Sequence, residues 1–264
     1  MLDVGRIILN SFRYPFRNLA KLPLLFLLFI SVAIVPIGMA IDNKYIIVLG
    51  VIAFFAFILI VPGYLLSIVR TGSIGSSMFP SFNLVDNIFD SIRVLCLRIV
   101  YMIVPATVFF LVLATLGPTS MDLLRNFQIH TFLATVGMII LLILVTYIVF
   151  EFLLFFAKAR MAYFNSLSEA LKINKVFGDI RNIGIVNIIK WAITMLVLMG
   201  VISFVTSFVL SIPYVGFLIY VGIVIPLIES IANYSIGLLY SNIAENYNDL
   251  DRFEREFKRL KYKN

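Results

Sequence analysis

A carboxyl group and a carboxamide lie in the middle of the last long apolar stretch of the chain, residues 214–241. At 100° per residue, Glu229 and Asn233 share a helical face with Pro226 and Tyr240. A charged group at the centre of a bilayer is costly unless it faces protein or water, so this face should point into a helix bundle. Residues of this kind can bind a proton, a cation or a polar substrate.

Glu229 also admits a purely structural role. A carboxyl that stays protonated can donate a hydrogen bond to an Asn, Ser, Thr or Tyr side chain of a neighbouring helix. We expect no Lys or Arg at the depth of Glu229. This favours the structural role over a proton, ion or substrate site.

Three further ionisable residues lie one to two turns inside the third, fourth and fifth apolar stretches: Arg98, Glu151 and Lys190. Equal depth would allow them to form an ion cluster near the cytoplasmic surface. Arg98 and Lys190 can instead extend along their helices until the charged ends reach the interface, and we favour this simpler arrangement.

Residues typical of enzyme active sites and metal centres are scarce in the chain. It has one histidine, His130, and one cysteine, Cys96. Zinc centres need more ligands than this, and no H-E-x-x-H motif, phosphate-binding loop or Ser-His-Asp set is present. We therefore expect no catalytic residue, no metal and no cofactor, in a protein that is not an enzyme.

The composition is typical of a protein embedded in a lipid bilayer. Of the 264 residues, 62% are hydrophobic and 13% are charged, whereas soluble domains carry about 25% charged residues. A helix of about 20 apolar residues crosses the hydrocarbon core. Six runs of about this length occur, at residues 22–40, 46–68, 95–117, 131–157, 183–210 and 214–241. We expect an all-α polytopic membrane protein with six transmembrane helices in three hairpins.

The basic residues predict how the spans are oriented. With six spans, both termini lie on one side, and of the 21 Lys and Arg only Lys44 and Arg125 fall on the other side. Cytoplasmic loops are enriched in Lys and Arg, so both termini are predicted to be cytoplasmic in a cell-membrane protein. The net charge of +7 then indicates contact with anionic lipid headgroups, and we expect no nucleic-acid partner.

An amphipathic segment precedes each of the three hairpins. Segments 3–21, 81–94 and 166–182 each combine an apolar stripe with polar or basic residues. This pattern is typical of helices that lie in the plane of the membrane interface, and we place these helices on the cytoplasmic face.

The order of segment and hairpin suggests a threefold internal repeat within one transmembrane domain, residues 1–250, which a charged cytoplasmic tail follows at 251–264. The units would be 1–75, 76–163 and 164–250. Any chain of membrane hairpins shows some recurrence of polar and apolar segments, so an arrangement without a true repeat stays open.

Several short motifs of the chain also occur in a group of other membrane proteins. They are R-Y-P at 13–15, P-G-Y-L-L-x-x-x-R at 62–70, P-S-F at 80–82 after Gly75, and G-L-L-Y at 237–240 after Pro226. With these motifs the chain resembles an uncharacterised multi-pass membrane family of methanogenic archaea. It is also broadly similar to the membrane domains fused to some glycerophosphodiester phosphodiesterases. The resemblance implies a polytopic fold and no catalytic residues.

Two functions follow as hypotheses. We expect a non-enzymatic integral membrane protein that organises the membrane or acts as an accessory scaffold. Its cytoplasmic helices would contact anionic headgroups or a membrane or cytoplasmic protein partner. The alternative is a small-molecule or ion transporter or channel that uses the face of Glu229 and Asn233, and a water-accessible cavity reaching Glu229 would favour it.

Overall fold

The computed structural model of the chain describes residues 3–126, 128–212 and 215–244, and these residues are almost entirely helical. The main helices are α1 (Val4–Arg17), α2 (Leu22–Ile30), α3 (Ile34–Ala40), α4 (Lys44–Ser73), α5 (Leu84–Arg125), α6 (Ile129–Phe164), α7 (Leu167–Ala170), α8 (Ile173–Ile183), α9 (Ile185–Ser207), α10 (Val215–Ile219) and α11 (Ile225–Ala244).

Six helical stretches within the described residues are long and apolar enough to cross a membrane. They are Leu19–Ala40, Lys44–Ser73, Leu84–Arg125, Ile129–Phe164, Ile185–Ser211 and Val215–Ile243. The predicted all-α polytopic fold is confirmed. The charged tail 251–264 lies outside the described residues.

Short polar side chains set the starts of the long helices. Asn43 accepts hydrogen bonds from the first backbone N–H groups of α4, and Asn83 does the same for α5. Asp3 caps α1 in this way. These N–H groups have no partner within their own helix, and an Asn or Asp cap supplies one. Asp42, with φ of 51°, makes the left-handed turn that closes the first hairpin.

The three amphipathic segments do not form three separate helices. The first forms α1, and the third forms the short helices α7 and α8. The second forms the first turns of α5, which continues without a break into the third span as one helix of 42 residues. No Gly or Pro interrupts residues 84–104, so nothing in the sequence ends the helix between segment and span.

Helices α5 and α6 are longer than a bilayer requires. Between His130 and Glu151, helix α6 rises by about 31 Å, close to the hydrocarbon thickness of about 30 Å. Beyond Glu151 the helix continues to Phe164, by about a further 20 Å. We call this end of the molecule, where Lys21, Arg70 and Arg160 lie, the basic end.

The tightest packing of the protein lies at the basic end. Side chains that are fully or almost fully buried there include Leu97 of α5, Phe156 and Met161 of α6, and Leu239 of α11. By contrast, most large apolar side chains between His130 and Glu151 of α6 are exposed, as expected where helices face lipid. The structure is therefore a packed helical layer at the basic end from which the spans project.

Glycines allow the closest helix contacts in this layer. A Cβ on Gly63 of α4 would lie 1.9 Å from the backbone oxygen of Asn87 in α5. A Cβ on Gly72 would lie 2.6 Å from the backbone oxygen of Tyr234, and one on Gly237 would lie 2.3 Å from the oxygen of Val69. Helix α4 thus packs backbone to backbone against both α5 and α11.

Candidate functional site

The face that carries Glu229 is turned into the protein. Pro226 and Asn233 are buried, and Glu229 is partly buried. A π-helical turn, Tyr220–Val224, joins α10 to α11 and ends two residues before Pro226. Proline cannot donate a backbone hydrogen bond, so the helix departs from regular α geometry in the turn that precedes Pro226.

Glu229 has a basic neighbour, which corrects the expectation that none reaches its depth. Lys158 Nζ of α6 donates to Asn233 Oδ1 at 2.6 Å, and Asn233 Nδ2 donates to Glu229 Oε2 at 3.0 Å. The amide thus links an ammonium group to a carboxyl group in one chain of hydrogen bonds. We call Lys158, Asn233 and Glu229 the intramembrane triad.

The direction of the lysine side chain explains why the sequence conceals this contact. Lys158 lies two residues before Arg160, near the basic end of α6. Side chains on a helix lean toward its N-terminus, and the N-terminus of α6 lies at the opposite end. The ammonium group therefore reaches from the basic end toward the bilayer, where Asn233 accepts its hydrogen bond.

Tyr240 belongs to a different group from Glu229, although it lies on the same helical face. Its hydroxyl donates to Asp179 Oδ2 at 2.7 Å. Asn233 and Tyr240 are separated by about 10 Å along α11. The candidate set of Glu229, Asn233, Pro226 and Tyr240 is therefore divided, and Tyr240 lies deeper in the basic end.

Arg160 is the centre of a buried network that sequence reasoning missed. Its Nη1 binds Asp179 Oδ2 at 2.7 Å, and its Nη2 binds Glu169 Oε2 at 2.8 Å. Its Nε donates to the backbone oxygen of Glu169 at 3.0 Å. Arg160 is 3% exposed and Asp179 is 1% exposed. The network fixes α7, α8 and α11 against the end of α6, because each of the three contributes a partner.

Glu169 lies outside the spans and is held in its ionised form. Lys172 Nζ lies 2.5 Å from Glu169 Oε1, the carboxylate oxygen that Arg160 does not bind. The hydrogen bonds from Lys172 and from Arg160 lower the pKa of Glu169, since both favour the charged carboxylate.

A second arginine, Arg70, makes a similar pair at the end of α4. Its Nη2 lies 2.9 Å from Asp90 Oδ2 of α5, and it also donates to Asn165 Oδ1 at 2.9 Å. Arg93 binds the other oxygen of Asp90 at 3.1 Å. Arg70 precedes Asp90 by 20 residues and Arg160 precedes Asp179 by 19. This spacing is a sequence signal that could have found both pairs, and the threefold repeat itself stays a prediction.

The structure brings two of the three residues of the other candidate cluster together. Arg98 Nη2 lies 2.5 Å from Glu151 Oε1, and Tyr147 donates its hydroxyl to the same oxygen at 2.8 Å. Lys190 is exposed on α9 and forms no ion pair within the described residues. The next residue, Trp191, is buried and its ring contacts Phe155 of α6, whereas the Lys190 side chain lies on the exposed face of α9.

Tyr14 of the R-Y-P motif packs at the basic end against Phe79, the residue directly before the P-S-F motif. Tyr14 is buried, and its ring stacks on Phe79 at 4.6 Å and on Tyr234 at 3.8 Å between centroids. Burial raises the pKa of Tyr14, so its hydroxyl stays neutral. Next to it, Lys21 Nζ donates to the backbone oxygen of Phe79, and Tyr64 packs against Phe82. These contacts hold α1 on the loop between α4 and α5.

Within the described residues, no three His, Cys, Asp or Glu side chains lie close enough together to hold a metal ion. The polar groups instead pair with one another across helices. Two buried donors, Arg70 Nε and Asn87 Nδ2, have no partner among the described residues. The exposed Lys and Arg side chains of the basic end can bind anionic groups. The intramembrane triad forms one chain of hydrogen bonds between α6 and α11.

One family of known proteins matches the chain. The match is to a protein family of unknown function, DUF4013, and covers residues 45–211. It includes the pairs of Arg70 with Asp90 and of Arg160 with Asp179, and it ends before Glu229. No curated protein and no solved structure matches the chain. Because the match covers more than half of the sequence, the chain belongs to the DUF4013 family, and its six spans make it a multi-pass membrane protein.

Proposed function

We propose that the protein is a non-enzymatic membrane scaffold whose basic end lies in the cytoplasmic headgroup layer of the cell membrane and binds anionic lipids. One observation carries the proposal. The outer faces of the helices at the basic end carry large exposed apolar side chains beside exposed basic ones, and several polar side chains are buried against the protein. A water-soluble surface helix buries its large apolar side chains instead.

Helix α1 shows this arrangement of exposed apolar and buried polar side chains. Ser11 is fully buried against the bundle between Ile7 and Tyr14. Phe12 and Phe16 are exposed on a neighbouring face, and their rings contact each other at 5.4 Å between centroids. An exposed aromatic stripe of this kind is stable where lipid rather than water covers it.

The basic residues of α1 lie beside the aromatic stripe. Arg6, Arg13 and Arg17 are all exposed on one side of the helix. A helix that combines an aromatic stripe with a basic stripe is amphipathic and lies in the membrane interface. Each Lys or Arg close to an anionic bilayer surface contributes about 1 kcal/mol to binding.

The other two segments follow the same plan. In the first turns of α5, Asp90 is buried and Phe89 is exposed. In α8, Asp179 is buried and Phe177 is exposed. The ion pairs of Asp90 with Arg70 and of Asp179 with Arg160 fix these helices to the ends of the spans. The exposed apolar side chains therefore keep a fixed position relative to the spans.

The distribution of charge supports a cytoplasmic orientation of the basic end. Of the Lys and Arg among residues 3–126, 128–212 and 215–244, only Lys44 and Arg125 lie at the opposite end. Short cytoplasmic loops are enriched in these residues, and the cytoplasmic leaflet carries the anionic lipids.

The archaeal lineage, and the likeness to membrane domains of glycerophosphodiester phosphodiesterases, remain hypotheses from the motifs.

Spin-labelled lipids test the proposal in the reconstituted protein. Electron spin resonance measures how strongly labelled phosphatidylglycerol is preferred over labelled phosphatidylcholine at the protein surface. Replacing Arg6, Arg13 and Arg17 together by Gln should lower this preference at least about threefold, because three charges leave the interface.

The opposite end provides the matched control. Lys44→Gln with Arg125→Gln should leave the preference unchanged. An unchanged preference in the α1 variant, or an equal loss in both variants, would overturn the proposal. Capture of a protein partner by the α1 face without any lipid preference would point instead to the protein-scaffold form of the hypothesis.

The intramembrane triad favours a second function, transport of a proton, ion or small polar solute. Its ammonium, amide and carboxyl groups form a continuous chain of hydrogen bonds between two of the apolar stretches, Ile129–Phe164 and Val215–Ile243. Glu229→Gln and Lys158→Met should then each abolish coupled flux into proteoliposomes. Thr107→Val, which changes a hydroxyl at an exposed position of α5, provides a control. Flux equal to wild type in both variants would leave the triad a structural element.

A further inference from the structure

A groove between α5 and α6 lies on the side of the protein that faces lipid. Its volume is about 490 Å³, and it is lined by apolar side chains, among them Ala106 and Phe109 of α5 and Ile143 of α6. The one polar residue in its lining is Tyr147. Cavities of this volume accommodate small organic molecules or part of a larger one.

Local sequence accounts for the groove. Pro105, which also lines it, cannot donate a hydrogen bond to the carbonyl of Tyr101 and so disturbs the regular course of α5. Ala106 follows with a side chain too small to fill the space. The groove is therefore a property of α5 and α6 themselves.

A polar group closes the groove at the basic end. Tyr147 donates to Glu151 Oε1, and Arg98 Nη2 binds the same oxygen. Arg98 and Glu151 each lie four residues from a lining residue, Met102 and Tyr147, so they continue the two walls of the groove. The Arg98 side chain is 54% exposed, and only Nη2 donates in the ion pair with Glu151. Its guanidinium group is thus accessible at the end of the apolar groove.

A bilayer whose hydrocarbon core begins at His130 of α6 places Arg98 at the opposite edge of that core, next to the headgroups. From His130 to Glu151 the rise along α6 is about 31 Å, close to the hydrocarbon thickness of about 30 Å. Arg98 pairs with Glu151 and so lies at the edge of the hydrocarbon, with the groove extending into it. A guanidinium group at this level matches a phosphate, which it binds with charge-assisted hydrogen bonds.

We propose that the groove between α5 and α6 binds one phospholipid, with an acyl chain between Ala106 and Ile143 and the phosphate on Arg98. Glu151 and Tyr147 hold the guanidinium group at the mouth of the groove. The site is separate from the basic stripe of α1 in the proposed function, and it recognises a phosphate whatever the net charge of the headgroup.

Native mass spectrometry of the whole chain in a non-ionic detergent tests this site. The protein is titrated with dioleoylphosphatidylcholine, and separately with dioleoylglycerol, which has the same chains and no phosphate. One phosphatidylcholine should bind at least about fivefold more tightly than dioleoylglycerol. Equal binding of the two lipids would overturn the phosphate contact.

Variants test the two halves of the site. Ala106→Phe fills the groove and Arg98→Gln removes the phosphate contact, and each should weaken phosphatidylcholine binding about tenfold. Ala56→Phe, at an exposed position of α4, and Lys190→Gln should bind as the wild type does. Wild-type binding in Ala106→Phe or in Arg98→Gln would overturn the proposal.

Second variants guard against misfolding. Ile143→Trp fills the groove from α6 and should reproduce Ala106→Phe. Arg98→Gln combined with Glu151→Gln removes both charges, leaves no unpaired carboxylate and should also weaken binding. Wild-type binding in either would contradict the site. The probe lipid is electrically neutral and α1 is unchanged, so failure here is distinguishable from failure of the proposed function.

Discussion

The buried pair of Arg160 and Asp179 allows a sharp prediction about stability. Asp179→Asn keeps the shape of the side chain and an oxygen for the Tyr240 hydroxyl, but it removes the negative charge. The atoms Arg160 Nη1 and Asp179 Oδ2 lie 2.7 Å apart, and the two side chains are 3% and 1% exposed. Removing one partner of a buried pair costs about 3–5 kcal/mol, because the other charge stays buried.

The surrounding contacts place the expected cost at the lower end of that range. Glu169 continues to bind Arg160 Nη2 at 2.8 Å and compensates part of its charge. We therefore expect Asp179→Asn to lower the free energy of unfolding by about 3 kcal/mol.

An exposed ion pair serves as the matched control. Arg6 and Asp3 lie 3.6 Å apart with side chains 78% and 60% exposed, and such pairs contribute about 0–1 kcal/mol. Asp3→Asn also keeps the cap of α1, because asparagine caps helices as well as aspartate does. Its cost should therefore stay below about 1 kcal/mol.

Equilibrium unfolding in mixed micelles with increasing sodium dodecyl sulfate measures these differences. The double variant Arg160→Met, Asp179→Leu removes both charges and should recover at least half of the loss, since no charge is then left unpaired by Asp179. A cost for Asp179→Asn no larger than for Asp3→Asn would show that the pair with Arg160 does not stabilise the fold. A double variant less stable than Asp179→Asn would show that an unpaired buried charge is not the cause of the loss.

Two further predictions concern packing and pH. Gly63→Ala should destabilise the protein by about 1–3 kcal/mol in the same assay, since its Cβ would lie 1.9 Å from the Asn87 oxygen. A Cβ on Gly137 meets no atom within 4 Å, so Gly137→Ala should be neutral or slightly stabilising. Equal effects of the two substitutions would contradict the close contact at Gly63. The pKa of Glu169 is lowered in the folded protein, so its contribution is present above the unfolded carboxyl value of about 4.3 and is lost as the pH falls through the lower folded value. Glu169→Gln should therefore reduce the loss of stability between about pH 5 and pH 3, and an unchanged pH profile would contradict the ion pairs of this residue.

The six spans could be predicted from the sequence, since a run of about 20 apolar residues has few alternatives to a membrane helix. Hydropathy does not show, however, where a helix continues beyond the bilayer. Helix α5 joins an amphipathic segment to a span because no Gly or Pro interrupts residues 84–104. The segment therefore became part of a longer helix rather than an independent one.

The polar contacts could not be predicted from residue depth alone. Lys158 lies close to the end of a span by position, yet its side chain leans toward the N-terminus of α6 and reaches Asn233. By its position in the sequence, Arg160 is one of many basic residues that predict the orientation of the spans. In the structure it is buried, because α7, α8 and α11 surround it. Both contacts depend on how helices cross, which one sequence does not specify.

Cysteine accessibility of α1 tests whether the outward apolar faces of the basic end lie in lipid. In a Cys96→Ser background, Phe12→Cys and Arg13→Cys are compared in opened proteoliposomes with a membrane-impermeant maleimide. Both native residues are exposed from the protein, so protein burial does not distinguish them. The cysteine at position 13 should react at least about fivefold faster, because lipid covers position 12. Equal rates at the two positions would contradict it.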